Sequence, residues 1–196
     1  LAGAIAATGY AYQTSQTTGA GEKETTHLLG TASTGRCGVE RWAVKVVTDG
    51  ATLNLTPKRT NIATLTAMPV PAGMGQDAQR LPEEHQVYQL TGTKLTAVKL
   101  EGDSDYHLIL QSPQGKTMIA EIPDPACAQG SSVLAQITRA RAYFDSTFGP
   151  GSSSFRSLNR TVTITGVGFF DVLHGQTGVA PNGIELHTVL SIRVGA

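Results

Sequence analysis

The residues best suited to chemistry lie in two polar loops of the second half of the chain. One runs from Glu101 through Asp103 and Asp105 to His107; the other runs from Asp171 through His174 and Gln176 to Asn182 and leads into Glu185 and His187. Imidazoles and carboxylates brought together can hold a divalent cation or act as general acid and base. Strand periodicity puts Glu185 and His187 on one face, with Ile184, Leu186, Leu190 and Ile192 on the other. His107 points away from Tyr106, Leu108 and Leu110 by the same rule. Three of the five histidines should therefore meet several carboxylates at one end of their scaffold. The plainer reading is that Asp-Ser-Asp and Asn-Gly are turn formers whose short side chains cap their own backbone.

The elements that position these loops follow from hydrophobic period and punctuation. Residues 87–100 read as a long strand whose alternation slips near Gly92, where a bulge lets one strand serve two sides of a barrel. Residues 106–111 and 116–122 read as two further strands. Residues 131–148 switch to helical spacing, with Val133, Leu134, Ile137, Ala140, Phe144 and Phe148 in one stripe and Gly149-Pro150 as the stop. Residues 161–169 and 183–193 return to strand period. Three strands, a helix and two strands is the order of the OB fold, a five-stranded Greek-key barrel. The fold expected is thus mostly β: an OB-like barrel over 85–196, with one helix between its third and fourth strands. In that topology the two polar loops lie on the same side, where such barrels take ligands.

Ahead of the barrel, residues 37–84 read as a decoration: a strand over 37–47, a turn at Asp49-Gly50, a short helix over 60–68 ending before Pro69, and a Pro-rich connector. Residues 1–36, rich in Thr, Gly, Ala, Ser and Gln, have too few large apolar side chains for a core. Such a segment orders by pairing with its own or a neighbouring domain, and Ile5, Tyr10 and Tyr12 mark a stretch of suitable length for strand addition.

Equal numbers of acidic and basic residues, 15 each, give no global field to attract nucleic acid or an anionic membrane. No stretch approaches the roughly 20 apolar residues of a membrane span. Arg139, Arg141, Arg156 and Arg160 form a local basic cluster, read as solvated surface. Cys37 and Cys127 have neither zinc-site nor redox-pair spacing. A long-range disulfide is expected, with free buried thiols as the alternative, and it places the protein outside the cytoplasm, extracellular or periplasmic.

The stretch Asp103-Ser-Asp105, followed by a strand and Glu121-Ile-Pro-Asp124-Pro, resembles the calcium-binding core of the staphylococcal nuclease family, also an OB barrel. The resemblance implies Asp103 or Asp105, and Asp124, as cation ligands. The arginine this family carries shortly before its second aspartate has no counterpart in 117–122. More broadly, the segments Glu40 to Lys45, Asn54 to Pro57, Asp103 to Leu110, Met118 to Pro125 and Gly166 to Asp171 on through His187 resemble a group of uncharacterised secreted bacterial proteins, over about 37–193. That implies secretion and no particular activity.

Two functions follow as expectations. The first is an extracellular, non-catalytic binding or self-assembly module whose partner is itself, as oligomer or filament, through the N-terminal arm. The alternative is a metal-dependent hydrolase or phosphodiesterase using Glu101, Asp103, Asp105, His107, Asp124, His174, Glu185 and His187, with a divalent cation as cofactor.

Overall fold

The computed structural model of the chain describes residues 37–195. The expected arm strand, with Ile5, Tyr10 and Tyr12, falls outside them. The protein is mostly β, with six strands in one sheet: β1 (Asn54–Thr60), β2 (Gln86–Leu100), β3 (Tyr106–Gln111), β4 (Thr117–Ile122), β5 (Arg156–Phe170) and β6 (Ile184–Val194). The helices are α1 (Trp42–Lys45), α2 (Ile62–Leu65) and α3 (Leu134–Phe148), with a 3-10 turn at Pro82–His85. The strand order is β1-β2-β3-β4-β6-β5, and β2 also pairs with β5.

The long strand β2 pairs with β3 and β5, both antiparallel, and with β1 in parallel. Its ladder with β5 shifts register between Leu90 and Thr93, around Gly92 at φ +68°. This is the bulge the slipped alternation predicts, placed where only glycine takes the backbone without a steric penalty. β4 and β6 run parallel, pairing Ala120 with Leu186 and Glu121 with His187.

Inward side chains of the sheet form the main core with Ala140 and Phe144 of α3, while Ile137 of the same helix packs in a second cluster with Val46, Val47, Val87 and Val167. Phe144 stacks obliquely between Tyr106 and Phe148 at centroid distances of 5.2 and 4.9 Å. Each such large apolar side chain contributes about 1.5–3 kcal/mol. The Cys37–Cys127 disulfide forms, with Cα atoms 5.4 Å apart. No described helix is long and apolar enough to cross a membrane.

The decoration differs from expectation. Residues 37–47 hold no strand; Trp42–Lys45 is one turn of helix, entered through Arg41 at φ +45° and left through Val47 at φ +58°. Apolar side chains at 42, 44 and 46 alternate, but the positive φ angles on both sides break an extended run, and the Arg41 side chain is held by tertiary partners. The expected helix over 60–68 shortens to Ile62–Leu65, capped by Asn61 Oδ1, which accepts from Thr64 N at 2.9 Å. Strand β1 was not foreseen. Its sequence NLTPKRT is polar and mostly exposed, and among the described strands it pairs only with the edge offered by β2.

Candidate functional site

The two polar loops do meet. Together with α1 they enclose a cavity of about 460 Å³ at one end of the sheet. Its wall carries Glu40, Asp77, Glu101, Asp103, Glu121, Asp171 and Glu185 against the full cations Arg41 and Lys45, with His107 and His174 also lining it. Exposed Val39 and Leu173 flank this region in sequence.

Glu121 of β4 sits at the centre, 12% exposed at its side chain. Its register partners are His107 on β3 and His187 on β6, so the sheet itself delivers an imidazole from each side. Glu121 Oε1 lies 3.4 Å from His107 Nδ1, and Oε2 lies 3.0 Å from His187 Nδ1. His107 Nδ1 is also 3.5 Å from Glu101 Oε1, and its Nε2 donates to the Thr177 carbonyl at 2.9 Å. His187 Nδ1 is bonded to Glu185 Oε1 at 3.1 Å. Its Nε2 stands 3.3 Å from Asp105 Oδ2, both side chains wholly buried, yet neither atom has a hydrogen-bond partner among the described residues.

The acidic turn is built to aim Asp105 inward. Asp103 Oδ1 accepts from Asp105 N at 3.1 Å, Ser104 takes φ +76°, and Asp105 Oδ1 accepts from Asp124 N at 3.3 Å. Arg141 reaches from α3 to donate to the Ser104 carbonyl at 3.1 Å and the Ile122 carbonyl at 2.7 Å, its guanidinium lying over the Tyr106 ring. The basic cluster is therefore not all solvated surface, because Arg141 ties together the segments that carry Asp105 and Glu121.

The opposite wall hangs on a buried ion pair. Arg41 donates to both Glu84 oxygens, at 3.0 and 2.6 Å, and to the Phe170 carbonyl at 2.8 Å. Glu84 also accepts from Leu81 N and Phe170 N, at 2.8 and 2.9 Å. The charge of Arg41 is thus spent within the wall; among the described residues Lys45, 3.7 Å from Asp171, and Lys99, 2.8 Å from Glu101, are the cations that face the cavity's carboxylates. Gly38 completes this wall; a Cβ there would collide with the Trp42 ring.

Electrostatics follow from crowding buried carboxylates. Burial, reinforced by Asp103 and Glu121 and opposed by His187, pushes Asp105 up to about 7. Burial and the Glu121 charge likewise push Glu185 up to about 7. Burial raises Asp103 as well. Burial disfavours the charged forms of Glu121, His187 and Lys45, but their partners win. His187, His107 and Lys45 hold Glu121 well below the ordinary range. Glu121, Asp105 and Glu185 hold His187 well above its own, and Asp171, Glu121 and Glu185 raise Lys45.

These directions fix a pH dependence for the cation-free protein. Asp105 and Glu185 favour folding in their protonated forms, so their stabilisation fades as pH rises from the ordinary carboxylate range through 7, and that of His187 fades above it. Glu121 acts oppositely, losing its stabilisation as pH falls below 4.5. Asp105→Asn, which deletes a buried charge, is expected to raise the melting temperature at pH 8 by a few degrees and change it little at pH 5, at about 2–4 °C per kcal/mol for a chain this size. A lower melting point at pH 8 would show instead that Asp105 stabilises through His187.

Of the residues expected here, Glu101, Asp103, Asp105, His107, Glu185 and His187 come together, and His174 lines the cavity beside Gln176. Asp124 does not join them: its side chain caps its own turn, Oδ1 accepting from Ala126 N at 2.8 Å, and it serves the site through its backbone N–H. Sequence reasoning missed Glu121 and Lys45 as site residues and read Asp171 only as the start of the second polar loop. Glu121 was detectable as the one charge in a strand otherwise reading Met-Ile-Ala-Glu-Ile. No protein-family model matches this chain, and no curated protein and no solved structure matches it either.

Proposed function

We propose that the protein is an extracellular, non-catalytic binding module on an OB-type barrel, and that the cavity takes a cationic ligand. The pairings β2–β3, β3–β4, β4–β6, β6–β5 and β5–β2 run round a ring, which supports the OB reading. The disulfide supports an oxidising compartment. The carrying observation is charge: seven carboxylates line the cavity, Arg41 is already neutralised by Glu84, and Lys45 and Lys99 pair with two of the seven, Asp171 and Glu101. A ligand bringing positive charge relieves their repulsion, whereas an anion adds to it.

The test is thermal denaturation with divalent metal chlorides, spermidine, and phosphate as the anionic contrast. A ligand at 100 times its Kd adds about 2.7 kcal/mol, a rise of about 5–10 °C at this chain length. Stabilisation by phosphate alone would overturn the reading. Self-assembly through the N-terminal arm extends the proposal; light scattering on protein lacking residues 1–20 tests it, and an unchanged monomer rejects it.

A second reading, metal-dependent hydrolysis, is favoured by Asp105 and Glu185 holding protons near neutrality beside an imidazole. Turnover of an activated phosphodiester that Glu185→Gln abolishes would support it, and none above buffer would reject it.

A further inference from the structure

We propose that Asp105, Glu121 and His187 bind a single transition-metal dication of the zinc or manganese class beneath the cavity wall that Glu121 lines. The inference rests on the cationic-ligand reading above and names the cation.

A ligand atom from each of these three residues lies within 4.8 Å of one from each of the others. The bonding around His187 then decides which nitrogen is free. Nδ1 faces Glu185 Oε1 at 3.1 Å and Glu121 Oε2 at 3.0 Å, so in the neutral ring Nδ1–H donates to Glu185, Nε2 keeps its lone pair, and the Glu121 carboxylate must turn toward the ion to ligate it. That lone pair faces Asp105 Oδ2 at 3.3 Å, and both side chains have zero exposure. Neither atom has a hydrogen-bond partner among the described residues. With His187 neutral, two electron-rich atoms buried face to face without hydrogen bonds cost about 1–3 kcal/mol each, and a cation drawn between them removes that cost, as a proton on Nε2 also would.

The surroundings fit metal ligation. A ligating imidazole ordinarily passes its other N–H to a carboxylate, which fixes tautomer and ring direction; Glu185 occupies that place. Asp105 is turned inward by the bond from Asp124 N to its other oxygen. Arg141 holds the carbonyls of Ser104 and Ile122, the neighbours of Asp105 and Glu121, and so sets the spacing of two ligands from outside. Glu121 is also part of the cavity wall and partly exposed, so an ion entering from the cavity meets it first.

The donor set selects the class of ion. One imidazole and two carboxylates suit zinc, manganese or iron. Calcium takes six to eight oxygens and gains nothing from the imidazole. The competing explanation of the same geometry is a protonated His187 shared among carboxylates, with no ion at all.

Full-length protein stripped with chelator and titrated calorimetrically with Zn²⁺ and with Mn²⁺ separates the two. One equivalent is expected to bind, with affinity reduced at least 100-fold in Asp105→Asn and Glu121→Gln, which preserve shape, and in His187→Ala. Glu185→Gln, acting through His187, is expected to weaken binding about 10–100-fold. His85→Gln, a histidine outside the cavity, leaves it unchanged. Substituted Co²⁺ should show a visible d–d band that Asp105→Asn removes. Absence of binding by either ion, or binding indifferent to Asp105→Asn and Glu121→Gln, overturns the metal site. Spermidine stabilisation without metal binding would leave the cationic-ligand reading standing while this one falls; no response to metal or amine would remove both.

Discussion

Glu84→Ala is expected to lower the melting temperature by on the order of 10 °C. The carboxylate is fully buried and accepts from Arg41 twice, from Leu81 N and from Phe170 N. Deleting one partner of such a pair costs about 3–5 kcal/mol, because it strands the other charge without solvent. Here the stranded group is Arg41, whose left-handed backbone opens α1, so the wall carrying Trp42 and Lys45 should loosen as well. Calorimetry on the single variant and on Arg41→Met/Glu84→Leu checks the cause. The double variant should recover most of the loss, since it removes both charges together; a single variant losing less than about 1 kcal/mol would show that the pair does not hold the wall.

Cys37→Ser/Cys127→Ser should cost as much. The bridge closes a 90-residue loop, for which loop-closure entropy gives about 4–5 kcal/mol, or on the order of 10 °C or more at this size. The same wall feels it, because Trp42 Nε1 donates to the Cys127 carbonyl at 3.1 Å, next to the bridge. An unchanged melting point after reduction, with both thiols shown free by alkylation, would reject a stabilising role.

The second half of the chain was legible for a physical reason: its strands carry large apolar residues at strand period, and turn residues separate them. Residues 106–111 were found with both ends correct, and the slip at Gly92 proved to be a register shift. The first half was not legible, because its conformation is imposed from outside. Nothing local makes residues 42–45 helical; Glu84, forty residues on, holds Arg41 in place. β1 has no buried face to betray it and carries Pro57. At the site, the loops announced themselves through carboxylates and histidines, so the gathering of Asp103, Asp105, His107, Glu185 and His187 could be read. The role of Glu121 depends on register, since only the pairing of β4 with both β3 and β6 sets it between two imidazoles. Asp124 misled because its sequence neighbours look like a ligand turn while its side chain is used up capping it.

The parallel seam between β4 and β6 has a consequence for timing. Asp105 and Glu121 are joined by a short hairpin and come together early in folding, but His187 lies 66 residues beyond Glu121 and reaches it only when β6 docks. Contacts so distant along the chain form late, because loop closure must precede any reward from pairing. The constellation is therefore completed only with the last strand, and a chain in which β6 has not docked holds two of its three ligands. Capture of an ion there would act as a latch on the finished sheet, slowing the departure of β6 rather than hastening its arrival.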